Sequence, residues 1–185
     1  RGGPRLSATA AAACDLRPSA RAAAAIRGPA LDSLVARAEA SSSDAVVILH
    51  DGEIAYERYW RGDSSRALVI QSITKPVTGL LIGQLIAEGR LRSVDQPLGD
   101  AFPEWREGDK GLVTLRMLLE HTSGIAYGVG GAGVYAQQDD ALPWARALPL
   151  AEKPGTRTRY NNAGIFLAGS MAEQAAGTSL GTYAQ

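Results

Sequence analysis

Ser72 and Lys75 are the residues of this 185-residue chain best suited to chemistry, in the run Gln71-Ser72-Ile73-Thr74-Lys75-Pro76. They form an S-x-x-K tetrad that opens an apolar helical run over residues 77–87. Positions three apart lie on one face of a helix, so the hydroxyl and the amine would share one space. A serine hydroxyl is a weak nucleophile until a neighbour takes its proton. A lysine does this only when burial or a nearby cation lowers its pKa. The free N–H groups and positive dipole end of a helix start suit a developing oxyanion. The tetrad therefore has the parts of an acyl-transfer nucleophile. The plainer alternative is an N-cap serine followed by a solvated lysine, and the tetrad alone does not separate the two.

A second group, Tyr160-Asn161-Asn162, stands at a turn just before another helical run. A tyrosine beside a lysine ammonium can hold a lowered pKa and accept or return a proton. The Asn162 amide offers a donor and an acceptor, which fits an ester or amide carbonyl. A packed core tyrosine is the ordinary alternative for Tyr160.

Composition narrows the classes. Charge is balanced, with 19 basic and 19 acidic residues, so the basic excess of nucleic-acid binding is absent. Hydrophobic residues make up 45% and charged residues 21%, in the range of globular domains. No run of 18 apolar residues occurs, so no transmembrane helix is expected. The single cysteine, Cys14, cannot form an internal disulfide. One cysteine and two histidines leave too few ligands for a structural zinc site.

The elements that must position these residues follow from periodicity and punctuation. Residues 1–29, rich in Ala, Arg, Gly and Pro, read as a disordered or leader segment with a weak helix near 20–26. Ala11-Ala12-Ala13-Cys14 has the outline of a lipoprotein cleavage site, but the apolar stretch before it is too short for a signal peptide. Leu31, Leu34, Val35 and Ala38 have helical spacing. Residues 45–50 and 53–60 read as strands joined by the two-residue turn Asp51-Gly52. Residues 68–70 read as a short extended approach to Ser72. Gly89 suits the end of the nucleophile helix, Thr114 the start of the next and Gly177 the end of the helix after Tyr160. A short helix is expected at 143–148, and Ser179 begins one more. Gly128-Val129-Gly130-Gly131-Ala132-Gly133 matches G-x-G-x-x-G without the strand and helix that a dinucleotide site requires. Asp139-Asp140 reads as a solvated pair.

Further landmarks accompany the two motifs. His50-Asp51-Gly52-Glu53 and the run from Leu118-Leu119-Glu120 through His121-Thr122-Ser123-Gly124-Ile125 precede Tyr160, as does Pro154-Gly155-Thr156. Ala176-Gly177-Thr178-Ser179-Leu180 follows it. In this order the set resembles the penicillin-binding-protein-like serine hydrolases, which include class C β-lactamases, D,D-peptidases, lactamase-like esterases and amide hydrolases. The resemblance covers about residues 45–185. It implies an α+β fold of the β-lactamase/D,D-peptidase type, an antiparallel sheet flanked by helices with a helical subdomain. Residues 30–185 would be the N-terminal part of that domain, truncated before the later strands. The family's third motif, K-T-G or H-x-G, lies on a downstream strand beyond this chain.

By the same resemblance Ser72 is the acylated nucleophile, and its N–H supplies half of an oxyanion hole. Lys75 and Tyr160 share the proton work, and Asn162 orients the substrate. His121 belongs to a landmark where the histidine is structural rather than the base of a triad. No metal or organic cofactor is implied. The expected substrates are small esters, amides, β-lactams or peptides. The rival reading is a non-catalytic binding or sensor domain of the same fold, or an inactive fragment. The expected location is periplasmic or secreted, with the cytoplasm as the alternative.

Overall fold

A computed structural model of the chain describes residues 16–126 and 141–185. Cys14, the glycine-rich stretch at 128–133 and Asp139-Asp140 lie outside the described residues. The chain divides into two compact units, Arg1–Val69 and Ile70–Gln185.

The first unit is built on a hairpin of β1 (Ala45–His50) and β2 (Glu53–Tyr59), paired antiparallel from Ala45↔Tyr59 to His50↔Glu53. Asp51 and Gly52 take φ values of 52° and 77°, as a two-residue turn matched to the strand twist requires. A bulge falls between Ile48 and Leu49. Two short helices accompany the hairpin, α1 (Ala20–Ala25) and α2 (Pro29–Ala40), the latter with Pro29 in its first turn. Residues 17–19 run along the outer edge of β2. The Ile54 N–H donates to the Arg17 carbonyl at 2.9 Å, and the Ser19 N–H donates to the Ile54 carbonyl at 3.0 Å. Ser19 then caps α1. Part of the segment expected to be a leader is therefore organised, because an open strand edge offers backbone groups that a neighbouring chain segment can satisfy. The unit buries little apolar surface, chiefly Ala22, Val35 and Ala55.

The second unit is helical. A 3₁₀ turn at Gln71–Ile73 runs directly into α3 (Thr74–Ala87), and Gly89 follows its end at φ 74°. Residues 68–70 form no strand. Ile70 is already in the right-handed helical region, and with no partner strand to pair with the approach does not become a ladder. Three further 3₁₀ turns, at Leu98–Asp100, Pro103–Trp105 and Gly108–Leu112, connect to α4 (Leu115–Leu119), which Thr114 caps. Next comes α5 (Ala141–Ala147), where Pro143 lies in the first turn. Then come α6 (Asn162–Ala176), ended by Gly177 at φ 67°, and α7 (Leu180–Tyr183), capped by Ser179.

Helix α6 is the hub, in contact with α3, α4, α5 and α7. Its buried positions include Ala163, Gly164, Ala168, Ala172 and Ala176, small residues that let neighbouring helices approach. Leu167 and Met171 fill the space between, against Ile82 and Leu85 of α3 and Leu115 and Leu118 of the α4 turn, within one apolar core. Trp105 and Phe102 are the largest fully buried side chains. Full burial of such side chains contributes about 1.5–3 kcal/mol each. The Trp105 indole N–H is satisfied by the Arg146 carbonyl at 3.1 Å, which ties α5 to the connector. This core packs the second half of α3 and the length of α6, the two helices at whose starts the chemically suited residues lie.

Candidate active site

Ser72 occupies the 3₁₀ turn and Lys75 the first turn of α3, so both leave the same face of one continuous spiral. Tyr160 is in the segment leading to α6, one residue before its cap. The three side chains meet. The Lys75 ammonium donates to Ser72 Oγ at 2.8 Å. Ser72 Oγ and the Tyr160 hydroxyl are 2.6 Å apart, in a hydrogen bond that either can donate. Lys75 Nζ also stands 4.8 Å from the centroid of the Tyr160 ring. Hydrogen bonding from Lys75, and then from Ser72, holds the Tyr160 phenol below its usual range. The hydroxyl is thus poised to lose its proton beside a fixed cation, although the side chain is 56% exposed.

The turn before Ser72 has its own signature. Gln71 takes φ 48°, a left-handed conformation that costs a non-glycine residue about 1–2 kcal/mol. The Thr74 hydroxyl and the Thr74 N–H both donate to the Gln71 carbonyl, which anchors this turn onto α3. Nothing in the residue type of Gln71 announces the conformation.

Around Tyr160 stand Asn161, Asn162 and His121. Asn161 is almost fully buried at 2% exposure, and its amide is spent on structure. Its Oδ1 accepts from the Gly164 N–H at 3.0 Å, capping α6, and its Nδ2 donates to the Ile125 carbonyl at 2.9 Å. Asn162, the residue expected to orient substrate, is the first residue of α6 and is half-buried. His121 sits at φ 59° just after α4. Its Nδ1 accepts from the Asn161 N–H at 3.1 Å, and its ring centroid lies 4.8 Å from that of Tyr160. Burial, and secondly the Lys75 charge, push its pKa below the usual histidine range. With Nδ1 engaged as an acceptor, the ring is neutral and set between the Asn161 N–H and the Tyr160 ring. Residue type points to a cap here, since asparagine is a favoured N-cap before a helical run, but the adjacent Asn162 offers the same amide.

A cavity of about 500 Å³ opens on the other residues of this region, lined by His121, Gly124, Glu152, Arg157, Arg159 and Tyr160. Glu152 Oε1 holds Arg159 at 2.6 Å and Arg157 at 3.6 Å. Gly124, at φ 72°, lies against the Glu152 carbonyl so closely that a Cβ would overlap it.

A family model described as Beta-lactamase matches residues 31–185. The chain is 32% identical over 130 residues to Esterase EstB of Burkholderia gladioli, a match covering 60% of this chain and 33% of that protein. It superposes on the octameric penicillin-binding protein homologue from Pyrococcus abyssi with TM-score 0.69 at 26% identity, over 83% of this chain and 40% of that one. A D-alanine carboxypeptidase from Burkholderia cenocepacia shares the fold, with TM-score 0.60 at 24% identity over 83% of this chain and 44% of that one. The chain spans about a third of the length of the curated relatives it matches. Its helices and two-stranded antiparallel sheet are accordingly part of an α+β, β-lactamase/D,D-peptidase-like domain.

Proposed function

The chain belongs to the Beta-lactamase family through its match over residues 31–185, and on that premise we propose that it carries the nucleophile of a serine hydrolase. The observation that carries the reading is Ser72 Oγ held between Lys75 Nζ at 2.8 Å and the Tyr160 hydroxyl at 2.6 Å. The substrate class is a small ester or amide, β-lactams and peptides among the amides. The likeness to Esterase EstB inclines the reading towards esters.

In the proposed reaction Ser72 Oγ attacks the acyl carbon, and its proton passes to the Tyr160 oxygen. Lys75, donating to Ser72 as positioned here, keeps its positive charge beside that oxygen and stabilises it as a phenolate. The Ser72 N–H receives the oxyanion, and Asn162 steadies the substrate. Collapse breaks the C–O or C–N bond. The leaving group takes the proton from Tyr160 and leaves an ester on Ser72. A water then gives its proton to Tyr160 and attacks that ester. The acid departs, and Ser72 regains a proton.

The test is covalent labelling of the full-length protein with a fluorophosphonate, read by mass spectrometry of peptides. An adduct on Ser72, lost in Ser72→Ala, is expected. Labelling at another residue would overturn the reading, and no labelling or turnover in a folded protein would favour the binding or sensor alternative.

A further inference from the structure

Three contacts converge on His121. Its carbonyl accepts from the Arg159 N–H at 2.8 Å. Its Nδ1 accepts from the Asn161 N–H at 3.1 Å. Its ring packs 4.8 Å from the Tyr160 ring at an interplanar angle of 34°. Residues 159 and 161 flank Tyr160, so one histidine grips the backbone on both sides of the tyrosine and supports the ring between them. The left-handed backbone at His121 lets its carbonyl and its ring serve the same segment. Tyr160 needs such support, because its side chain is 56% exposed and burial does little to hold it against Ser72.

We infer that His121 is a positioning residue for Tyr160, working as a neutral imidazole whose unprotonated Nδ1 receives the Asn161 N–H. The inference rests on the proposed Ser72–Lys75–Tyr160 reading for its catalytic consequence, but not for its geometry. Protonation places a hydrogen on Nδ1, which then cannot accept from Asn161, and the tyrosine loses one of its two backbone anchors. The charges around the ring are Lys75 and Tyr160 on one side, Glu152, Arg157 and Arg159 along the shared cavity, and Glu120 next in the chain. Burial and the Lys75 charge both oppose protonation. A displaced reacting group about 1 Å out of place costs on the order of 10²-fold in rate, so loosening Tyr160 is felt at Ser72.

The experiment compares His121→Asn, whose Oδ1 takes the place of Nδ1, with His121→Phe, which keeps a ring and has no acceptor. Acylation of Ser72 by a p-nitrophenyl ester is followed against ester concentration and pH in the full-length protein. His121→Phe should acylate about 10²-fold more slowly at saturation, with the half-saturating concentration unchanged. His121→Asn should recover most of that rate. The parent should lose rate as pH falls below 6.5 towards the lowered His121 value, and His121→Asn should lack that limb. A His121→Phe protein that folds and keeps the parent rate and pH profile would overturn the inference.

Two measurements stand apart from hydrolysis. Nitrogen NMR of the parent should show His121 Nδ1 unprotonated near neutral pH, and a protonated Nδ1 would refute the inference whether or not the variants fold. Ultraviolet titration should show the Tyr160 phenol moving back up in His121→Phe. If the parent never labels at Ser72, the hydrolase reading fails, and these two measurements still judge the role of His121.

Discussion

At the scale of single residues, the candidate site turns on three atoms, Ser72 Oγ, Lys75 Nζ and the Tyr160 hydroxyl. Lys75→Ala removes the cation that lowers the Tyr160 phenol and the donor to Ser72, and is expected to slow acylation by about 10²–10⁴-fold. Lys75→Arg should recover little, because a planar guanidinium differs in shape and reach from the ammonium that donates to Ser72. Tyr160→Phe keeps the ring that packs on His121 and should leave stability nearly unchanged while reducing turnover. Tyr160 also predicts its own titration. Its pKa is lowered, chiefly by the Lys75 hydrogen bond, whereas Tyr59 is raised by Glu57 and Tyr183 is raised by burial. Absorbance at alkaline pH should therefore show an early-ionising tyrosine that is absent in Tyr160→Phe and shifted upward in Lys75→Ala. The sign is that of a group stabilised in its deprotonated form: the fraction of phenolate at a given pH below 10 exceeds that of a free tyrosine. A profile with no early tyrosine would remove the electrostatic basis of the mechanism.

At the scale of elements, the site depends on where two helices begin. Helix α6 begins at Asn161, whose amide caps Gly164 and binds the Ile125 carbonyl. Asn161→Ala loses a cap and strands a buried carbonyl, which together should cost about 2–4 kcal/mol, measurable by denaturant melts. Gly124→Ala should cost at least about 2 kcal/mol, because its backbone is left-handed and the Glu152 carbonyl occupies the place of the Cβ. A variant at either position with parental stability would show that the turn after α4 has more slack than its contacts imply. The caps at Thr114, Ser179 and Gly177 were readable in the sequence because each has a residue type with one local job. The Asn161-Asn162 pair was not, since either amide can cap, and only the packing against Ile125 assigns the cap to Asn161.

At the scale of the whole molecule, helix α3 is apolar on every side, a pattern that belongs to a helix covered on every side. In this chain it buries Ile82 and Leu85, while Ile73, Val77 and Leu80 are 64%, 40% and 74% exposed. Their spacing of four and three places them on one stripe, beside the start of the helix that carries Ser72. In the first unit Val47 and Leu49 are each 49% exposed on the hairpin. Apolar stripes of this kind drive association in water. The 185-residue chain expressed alone should bind an apolar dye and elute larger than a monomer. Ile73→Lys with Leu80→Lys should reduce both effects. A monomeric profile with no dye binding would contradict this.

The sequence by itself determined the local grammar: the tetrad at 72–75, the Asp51-Gly52 hairpin, the helix after Tyr160 and most helix ends. Each depends on residues within a few positions of one another, where residue type and period carry the physics. Only the tertiary structure decided what happens between distant segments. It brought Tyr160 within 2.6 Å of Ser72 across 88 positions. It spent Asn161 on the fold, set residues 17–19 along β2, and placed Gln71 and His121 in left-handed conformations. Such outcomes follow from which backbone groups are left unpaired and which surfaces meet once the core has closed, and no single stretch of sequence contains both partners.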